Sequence, residues 1–202
     1  MLHDRRAAGP AFVLRPVSLS DAAFITALRA DSVRSRFLHP VSPDVAAQIA
    51  WYERYATRPG DYYFIVERAE TGEAEGTIGL YDVDDGSRAA EWGRWVLREG
   101  SLAAVESAAL IYDIAFAQFG LQRVYCRTVA ANEAVVSFHR SFGLETRAVL
   151  PDHFRLGDVS YDAVEQELTR ERWEALRPSV HAKAERVARL LRRASADGGR
   201  RA

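Results

Sequence analysis

Three polar residues, Glu91, Asn132 and His139, have the side-chain types that proton-transfer chemistry requires. A carboxylate can accept a proton directly or through a water molecule, and an imidazole can donate one near pH 7. Asn132 precedes a predicted helix that contains His139, and its amide can accept from a free N–H of the first turn. Simpler roles are also open: a strand-edge carboxylate paired with Arg88 or Arg94, a plain helix cap, and a packed imidazole.

The helix that carries His139 is encoded within residues 132–144. Val135, Phe138 and Phe142 recur at spacings of three and four, so they share one helical face. Gly143 can adopt the left-handed conformation that ends a helix. The preceding segment, QRVYCRT, alternates in the pattern of a strand. The sequence therefore predicts a strand, a capped helix and a further strand in succession.

Glu91 lies in another predicted strand, residues 90–97, whose alternation places Glu91, Gly93, Trp95 and Leu97 on one face. Pro178 is expected to end the main domain, residues 10–178. Residues 179–202 are expected to form a basic amphipathic helix at 180–193 and a disordered tail. The order of elements predicts an α+β (mixed αβ) fold with most strands in one sheet. The other predicted strands are at 12–17, 62–67, 76–83, 122–129, 144–149 and 159–168, and the helices at 20–33, 43–55, 102–119, 132–142 and 171–176.

Composition limits the classes of protein to which the chain can belong. With 202 residues, 48% of them hydrophobic and 27% charged, it suits one soluble domain with an appendage. The single cysteine, Cys126, excludes an internal disulfide, and no Cys/His pairs have the spacing of zinc ligands. With no apolar run of membrane length and no secretory h-region, we expect a cytoplasmic protein without a membrane partner.

Charge is distributed unevenly along the chain. Residues 179–202 hold seven basic and two acidic side chains, whereas the whole chain has a net charge of −1. An acidic body argues against extensive contact with nucleic acid. We consider three partners for the basic helix: the body of its own chain, a second subunit in a homodimer, and an anionic surface.

The strand, the Asn-capped helix, the Gly-Leu pair and the next strand resemble the C-terminal half of the GNAT N-acetyltransferase fold. Asn132, Phe138, Phe142, Gly143 and Leu144 fall in register with its pattern, and His139 occupies the position of a tyrosine. The order of elements is similar to that fold over residues 12–168. The segments RADSVRSRFLHP, WYERY, DYYFIVE and AEWGRWVL resemble the ribosomal-protein-alanine acetyltransferase branch, and more closely its nucleotide-sugar amine acetyltransferase relatives.

The resemblance implies a central, mostly antiparallel sheet with a splayed strand pair and helices on both faces. It implies acetyl-CoA as co-substrate and a primary amine of a small molecule as acceptor, with Glu91 as base and His139 as proton donor. Contacts to the cofactor are expected from the backbone N–H groups of the fourth family strand and from Asn132. The expected cofactor-binding residues are Trp95, Val96, Leu97, Arg98, Ser101, Ala103, Ala104 and Asn132.

The phosphate-binding loop departs from the family pattern, which is (Gln/Arg)-x-x-Gly-x-(Gly/Ala). In Arg98–Ala104, Ala104 takes the Gly/Ala position, but Leu102 stands where the first glycine belongs. Arg98 and Ser101 still offer groups that bind phosphate oxygens. The departure leaves open a second interpretation, a catalytically silent GNAT-like module that binds a partner.

The acceptor pocket is expected from the first helices and the turn before the second predicted strand. Aromatic residues there also suit a hydrophobic core, whereas arginines suit an anionic acceptor such as a nucleotide diphosphate. We therefore favour a nucleotide-linked amino sugar, with a protein N-terminus or an aminoglycoside as alternatives. The expected acceptor-binding residues are Arg34, Phe37, His39, Trp51 and Tyr63, with Arg29 and Tyr52 as further candidates.

Overall fold

The computed structural model describes residues 3–31, 33 and 35–198. Within that part of the chain, eight strands form one sheet and five α-helices pack around it. The strands are β1 (Ala7–Ala8), β2 (Phe12–Pro16), β3 (Tyr62–Arg68), β4 (Ala74–Asp84), β5 (Ala89–Leu97), β6 (Arg123–Val129), β7 (Glu145–Leu156) and β8 (Val159–Thr169). The helices are α1 (Ala22–Ala30), α2 (Val45–Tyr55), α3 (Ala104–Asp113), α4 (Glu133–Phe142) and α5 (Arg170–Gly198).

The sheet has the order β1-β2-β3-β4-β5-β6-β8-β7, and its neighbouring strands are antiparallel except for β5 and β6. That parallel pair is joined over only three positions, Ala89–Glu91 of β5 against Arg123–Tyr125 of β6. The two strands then diverge, which confirms the predicted α+β fold with a splayed pair. Glu91 lies at the point where the divergence begins.

Alternation along β3 separates two hydrophobic cores, one on each face of the sheet. Phe64 and Val66 belong to the larger core, which α3 and α5 cover. Tyr63 and Ile65 belong to the smaller core, where Tyr55 of α2 packs. The sheet is therefore covered on both faces, as expected.

Helix α4 begins and ends where the sequence predicts. Asn132 occupies the N-cap position, and Gly143 ends the helix with a left-handed φ of 117°. Buried residues on the helix include Val136, His139 and Phe142, so the buried face is rotated by one residue from the predicted Val135 position. Gly143 ends the helix through its local backbone conformation, whereas the buried face depends on the strand beneath it.

The start of α3 differs from the prediction. Leu102 precedes the helix and is 47% exposed, so it is wrong as the first member of the apolar stripe. Glu106 in the first turn is buried instead, and its Oε1 accepts the N–H groups of Ala11 at 2.9 Å and Phe12 at 2.8 Å. A Cβ at Gly9 would overlap this carboxylate. Helix α3 is thereby joined to the beginning of β2.

The predicted break at Pro178 is wrong, because Pro178 lies inside the continuous helix α5. Val180, Ala184 and Ala188, which follow it, are each at most 3% exposed. Helix α5 packs on α3, so the basic segment contacts the body of its own chain. The helix extends to residue 198, into the tail that was expected to be disordered; residues 199–202 lie outside the described part. Neither α5 nor any other described helix is apolar enough to cross a membrane.

Candidate active site

The divergence of β5 and β6 opens a cavity of about 550 Å³. It brings together nine residues that were selected from the sequence: Arg29, Phe37, His39, Trp51, Tyr63, Glu91, Trp95, Asn132 and His139. Other expected residues are not in its wall: Val96, Leu97, Arg98, Ser101, Ala103 and Ala104. Arg34 lies outside the described residues. The candidate catalytic and acceptor residues thus share one cavity, and the expected phosphate loop lies apart from it.

A β-bulge in β5 shapes the floor of this cavity. The pairing of β4 with β5 slips beside Ile78, and Arg94 adopts a left-handed φ of 50°. The extra residue reverses the alternation, so Trp95 packs on Trp92 with ring centroids 5.6 Å apart and donates from Nε1 to Ser107 Oγ in α3 at 3.1 Å. The prediction that Trp95 shares a face with Glu91 is therefore wrong, because it assumed an uninterrupted period of two.

Glu91 is a buried carboxylate in the cavity wall, with 8% of its surface exposed. Its Oε2 accepts from Arg127 Nη1 at 2.9 Å, and its Oε1 accepts from the Tyr81 hydroxyl at 3.3 Å. Burial raises the pKa of Glu91, although the charge of Arg127 opposes the shift. The partner is thus Arg127, and neither Arg88 nor Arg94. A carboxylate with raised proton affinity beside a cavity is suited to act as a general base.

The sequence analysis missed Arg127 and Tyr81 as neighbours of Glu91. Arg127 also donates from Nε to Glu165 Oε2 at 2.9 Å, so one guanidinium joins two carboxylates. Its alternation within QRVYCRT marked it as a strand residue. Only the parallel register of β5 and β6 brings it to Glu91, and no local signal encodes that register.

His139 is 3% exposed and lies between aromatic rings, with Trp92 at 5.1 Å between centroids. Its Nδ1 is 3.2 Å from Cys126 Sγ, and its buried Nε2 has no hydrogen-bond partner among the described residues. Burial lowers the pKa of His139 to about 4, so the imidazole is neutral at pH 7.

The contact with Cys126 indicates which nitrogen of His139 carries the proton. Burial raises the pKa of the Cys126 thiol, which therefore stays protonated and can donate to Nδ1. With the thiol as donor, the proton of the neutral imidazole is assigned to Nε2, and His139 lines the cavity. In this tautomer His139 can offer a neutral N–H donor rather than a charged acid.

Asn132 lines the cavity beside His139 but does not cap α4 with its side chain. The N–H groups of the first turn of α4, all of it within the described residues, donate no hydrogen bond to the Asn132 side-chain oxygen. The N–H groups of Val135 and Val136 bond instead to the Asn132 carbonyl, each at 3.1 Å. The side-chain amide therefore remains available to a ligand in the cavity.

Backbone amides along the diverging edge of β5 are a second set of donors. The Arg98 N–H donates to the Glu75 carbonyl of β4 at 2.8 Å. Because successive strand amides point to opposite edges, the Leu97 N–H points toward the β6 side and the Val96 N–H toward β4. Of these two expected contacts, the geometry fits Leu97 and argues against Val96.

The expected phosphate loop fits a phosphate through its backbone better than through its side chains. Arg98 is ion-paired with Glu73 and with Glu75, the latter at 3.5 Å. Ser101 Oγ accepts the N–H of Ala103 at 3.3 Å. Both side chains named for phosphate binding are thus engaged elsewhere, whereas the N-terminus of α3 presents the free N–H groups that favour anions.

The acceptor side of the cavity is aromatic. Trp51 stacks on Tyr55 with centroids 5.3 Å apart, and its ring meets that of Tyr63 edge-on at 5.5 Å. The guanidinium of Arg94 lies over Trp51, Tyr63 and Tyr81 and is held by Asp61 through bonds of 2.6 and 2.9 Å. Tyr52, a further sequence candidate, packs with the smaller core and is not in the cavity wall.

The largely antiparallel sheet, its one diverging parallel pair and the bulge beside the gap match the fold that the resemblance to GNAT acyltransferases implies. The profile of the acetyltransferase (GNAT) domain matches residues 12–145, and the chain therefore belongs to this family. GNAT enzymes use acetyl-CoA.

Solved structures of the same fold cover most of the chain. "Apo FdhC- a nucleotide-linked sugar GNAT" is 26% identical, with a TM-score of 0.72 over 86% of this chain and 94% of the other. A GCN5-related N-acetyltransferase from Brucella melitensis is 18% identical, with a TM-score of 0.77 and coverages of 89% and 85%. Spermidine N-acetyltransferase from Vibrio cholerae, in complex with CoA and spermine, is 18% identical, with a TM-score of 0.72 and coverages of 80% and 97%. A search of curated proteins found no significant match.

Proposed function

We propose that this protein is an acetyl-CoA-dependent N-acetyltransferase that acts on the primary amine of a small molecule. The observation that carries the proposal is the position of Glu91, a buried carboxylate at the apex of the gap between β5 and β6 and in the wall of the cavity. A free amine of the lysine type has a pKa of about 10.4, so it must lose a proton before it can attack a thioester. Glu91 is the group suited to take that proton.

Acetyl-CoA supplies the acetyl group as a thioester, which an amine can attack. Glu91 accepts the amine proton directly or through a water molecule. The Leu97 N–H and the Asn132 amide hold the entering chain of the thioester by hydrogen bonds. As the amide C–N bond forms and the thioester C–S bond breaks, the Nε2–H of the neutral His139 stabilises the negative charge on the departing sulfur, and the released thiolate takes a proton from water.

We further propose a nucleotide-linked amino sugar as the acceptor. Support comes from the family resemblance of the segments quoted above and from the sugar GNAT that is 26% identical. The spermidine enzyme is 18% identical and supports the fold alone. The aromatic wall of Trp51 and Tyr63, whose rings meet edge-on, also suits the flat ring of a base or the apolar face of a sugar.

One observation favours the alternative, a GNAT-like module without activity. Arg98, the side chain at the family's phosphate-binding position, is paired with Glu73 and Glu75. Calorimetric titration with acetyl-CoA separates the two functions. Heat of binding below millimolar concentration supports the enzyme, and no heat at near-millimolar acetyl-CoA supports the module.

The role of Glu91 is tested with Glu91→Gln in a thiol-release assay over a panel of amines. General-base catalysis contributes about 10²- to 10⁴-fold, so we expect kcat to fall by that factor while acetyl-CoA affinity stays unchanged. Glu165→Gln is the matched control, because Glu165 shares Arg127 with Glu91 but does not line the cavity. Equal loss of turnover and cofactor affinity in Glu91→Gln would contradict the base role.

A further inference from the structure

Arg29 of α1 lines the cavity in an unusual state for an arginine. Its Nη2 donates to the His39 carbonyl at 2.6 Å. Its Nε is buried and has no hydrogen-bond partner in residues 3–31, 33 and 35–198. A guanidinium has five N–H donors, and among the described residues only the His39 carbonyl accepts a hydrogen bond from the Arg29 guanidinium. Hydrogen-bonding capacity therefore remains in the cavity wall.

The other two guanidinium groups in the cavity wall each have a carboxylate partner. Arg94 is neutralised by Asp61 through two hydrogen bonds, and Arg127 is joined to Glu91 and to a second carboxylate. Arg29 forms no ion pair with any described carboxylate. Of the three guanidinium groups in the wall, it is the one whose charge the described chain leaves uncompensated.

The environment of Arg29 is unfavourable for that charge. Burial lowers the pKa of Arg29, and the charge of Arg94 lowers it further, while Tyr63 opposes the shift. An arginine nevertheless stays protonated in proteins. A partly desolvated cation without a counter-ion among the described residues costs free energy, and an anionic ligand relieves that cost by forming charge-assisted hydrogen bonds.

We infer that Arg29 binds an anionic group, a phosphate or a carboxylate, on the acceptor whose amine faces Glu91. The inference rests on the proposed function and specifies its substrate class: an amine that also carries a negative charge. It excludes polyamines, because a cationic chain would meet the unpaired guanidinium. Glu91 would then contact the amine of the acceptor and Arg29 its anionic group, from different parts of the same cavity wall.

Matched acceptors test the inference by kinetics. Glucosamine 1-phosphate and glucosamine differ only in the phosphate, an amino acid and its amide differ in the carboxylate, and spermidine is the cationic arm. For the preferred anionic acceptor we expect Arg29→Gln to raise KM by about tenfold to a hundredfold, the cost of losing a charge-assisted hydrogen bond. Its uncharged counterpart should change by less than about twofold. The exposed Arg54 of α2 supplies the control Arg54→Gln, which removes the same charge elsewhere.

Stability separates this role from a structural one. If Arg29 only tethered His39, Arg29→Gln would lower the unfolding midpoint and impair every acceptor equally, which would overturn the inference. If Arg29 instead binds an anion, Arg29→Gln should be at least as stable as the parent protein in the absence of ligand. Arg29→Lys should retain part of the preference for anionic acceptors. A preference for anionic acceptors that survives in Arg29→Gln would also overturn it, as would faster turnover of spermidine by the parent protein.

If no amine is acetylated, a binding experiment tests the anion site at Arg29. Glucosamine 1-phosphate is titrated into protein saturated with CoA, so that the phosphate loop is already filled. Binding by the parent and Arg54→Gln, but not by Arg29→Gln, supports the anion site even though the proposed enzymatic function has failed. Absence of binding by the parent, or equal binding by all three proteins, overturns the anion site.

Discussion

The neutral state of His139 makes a quantitative prediction about stability and pH. Its pKa is about 4 in the folded protein against an ordinary value of 6.5. Because the folded value is depressed, the unfolded chain takes up a proton first as the pH falls. The stabilisation is therefore present above pH 6.5 and is lost as the pH falls toward 4.

The loss can be worked out from those two values. Between pH 7 and pH 5, His139 should lower the free energy of unfolding by about 2 kcal/mol, and by about 3 kcal/mol at pH 4. Urea denaturation at pH 7 and pH 5 measures it in the parent protein and in His139→Gln, which cannot take up the proton. The pH-dependent loss should be about 2 kcal/mol smaller in the variant.

Another histidine supplies the control for this experiment. His153 is exposed, so His153→Gln should leave the pH-dependent loss as it is in the parent. If His139→Gln loses as much stability as the parent between the two pH values, His139 is not held neutral by its surroundings. The assignment of Nε2–H as a neutral donor would then be wrong as well.

Two further predictions concern the ends and the interior of helices. Pro178→Ala should raise the free energy of unfolding by about 1–3 kcal/mol, because proline inside a helix removes a hydrogen bond; urea denaturation without such a gain would contradict a continuous α5. Gly143→Ala should lower it by at least about 1–3 kcal/mol, since φ is 117° and a Cβ would overlap Leu176. Gly157→Ala has a positive φ but meets nothing within 4 Å, so thermal unfolding of both variants separates strain from overlap; equal effects would refute the overlap.

Signals that act over a few residues were read correctly from the sequence. The end of α4 at Gly143 was predicted because a left-handed stop is a property of the local chain; the start was also placed correctly, although the Asn132 side chain does not form the expected cap. The grouping of Glu91 and His139 in one cavity came from the family resemblance, and the diverging strands bring it about. Their chemical roles stay predictions.

Features that depend on distant contacts were not readable. The bulge at Arg94 reverses the alternation of β5. No residue type at this position predicts the bulge, because arginine seldom adopts the positive φ that Arg94 has here. Pro178 is typical of a helix end, yet α5 continues past it because Val180 and Ala184 are buried against the rest of the protein. The salt bridge from Arg127 to Glu91 likewise requires the register of two strands that are far apart in sequence.

The bond between Glu106 and the N–H groups of Ala11 and Phe12 has a practical consequence. Proteolysis or a deletion that removes the chain through Phe12 would remove both N–H donors of the buried Glu106 carboxylate in the first turn of α3. That turn belongs to the stretch expected to receive phosphate. Removal of Ala11 and Phe12 should therefore weaken binding of the cofactor phosphates, and it also takes the fully buried Phe12 out of the core.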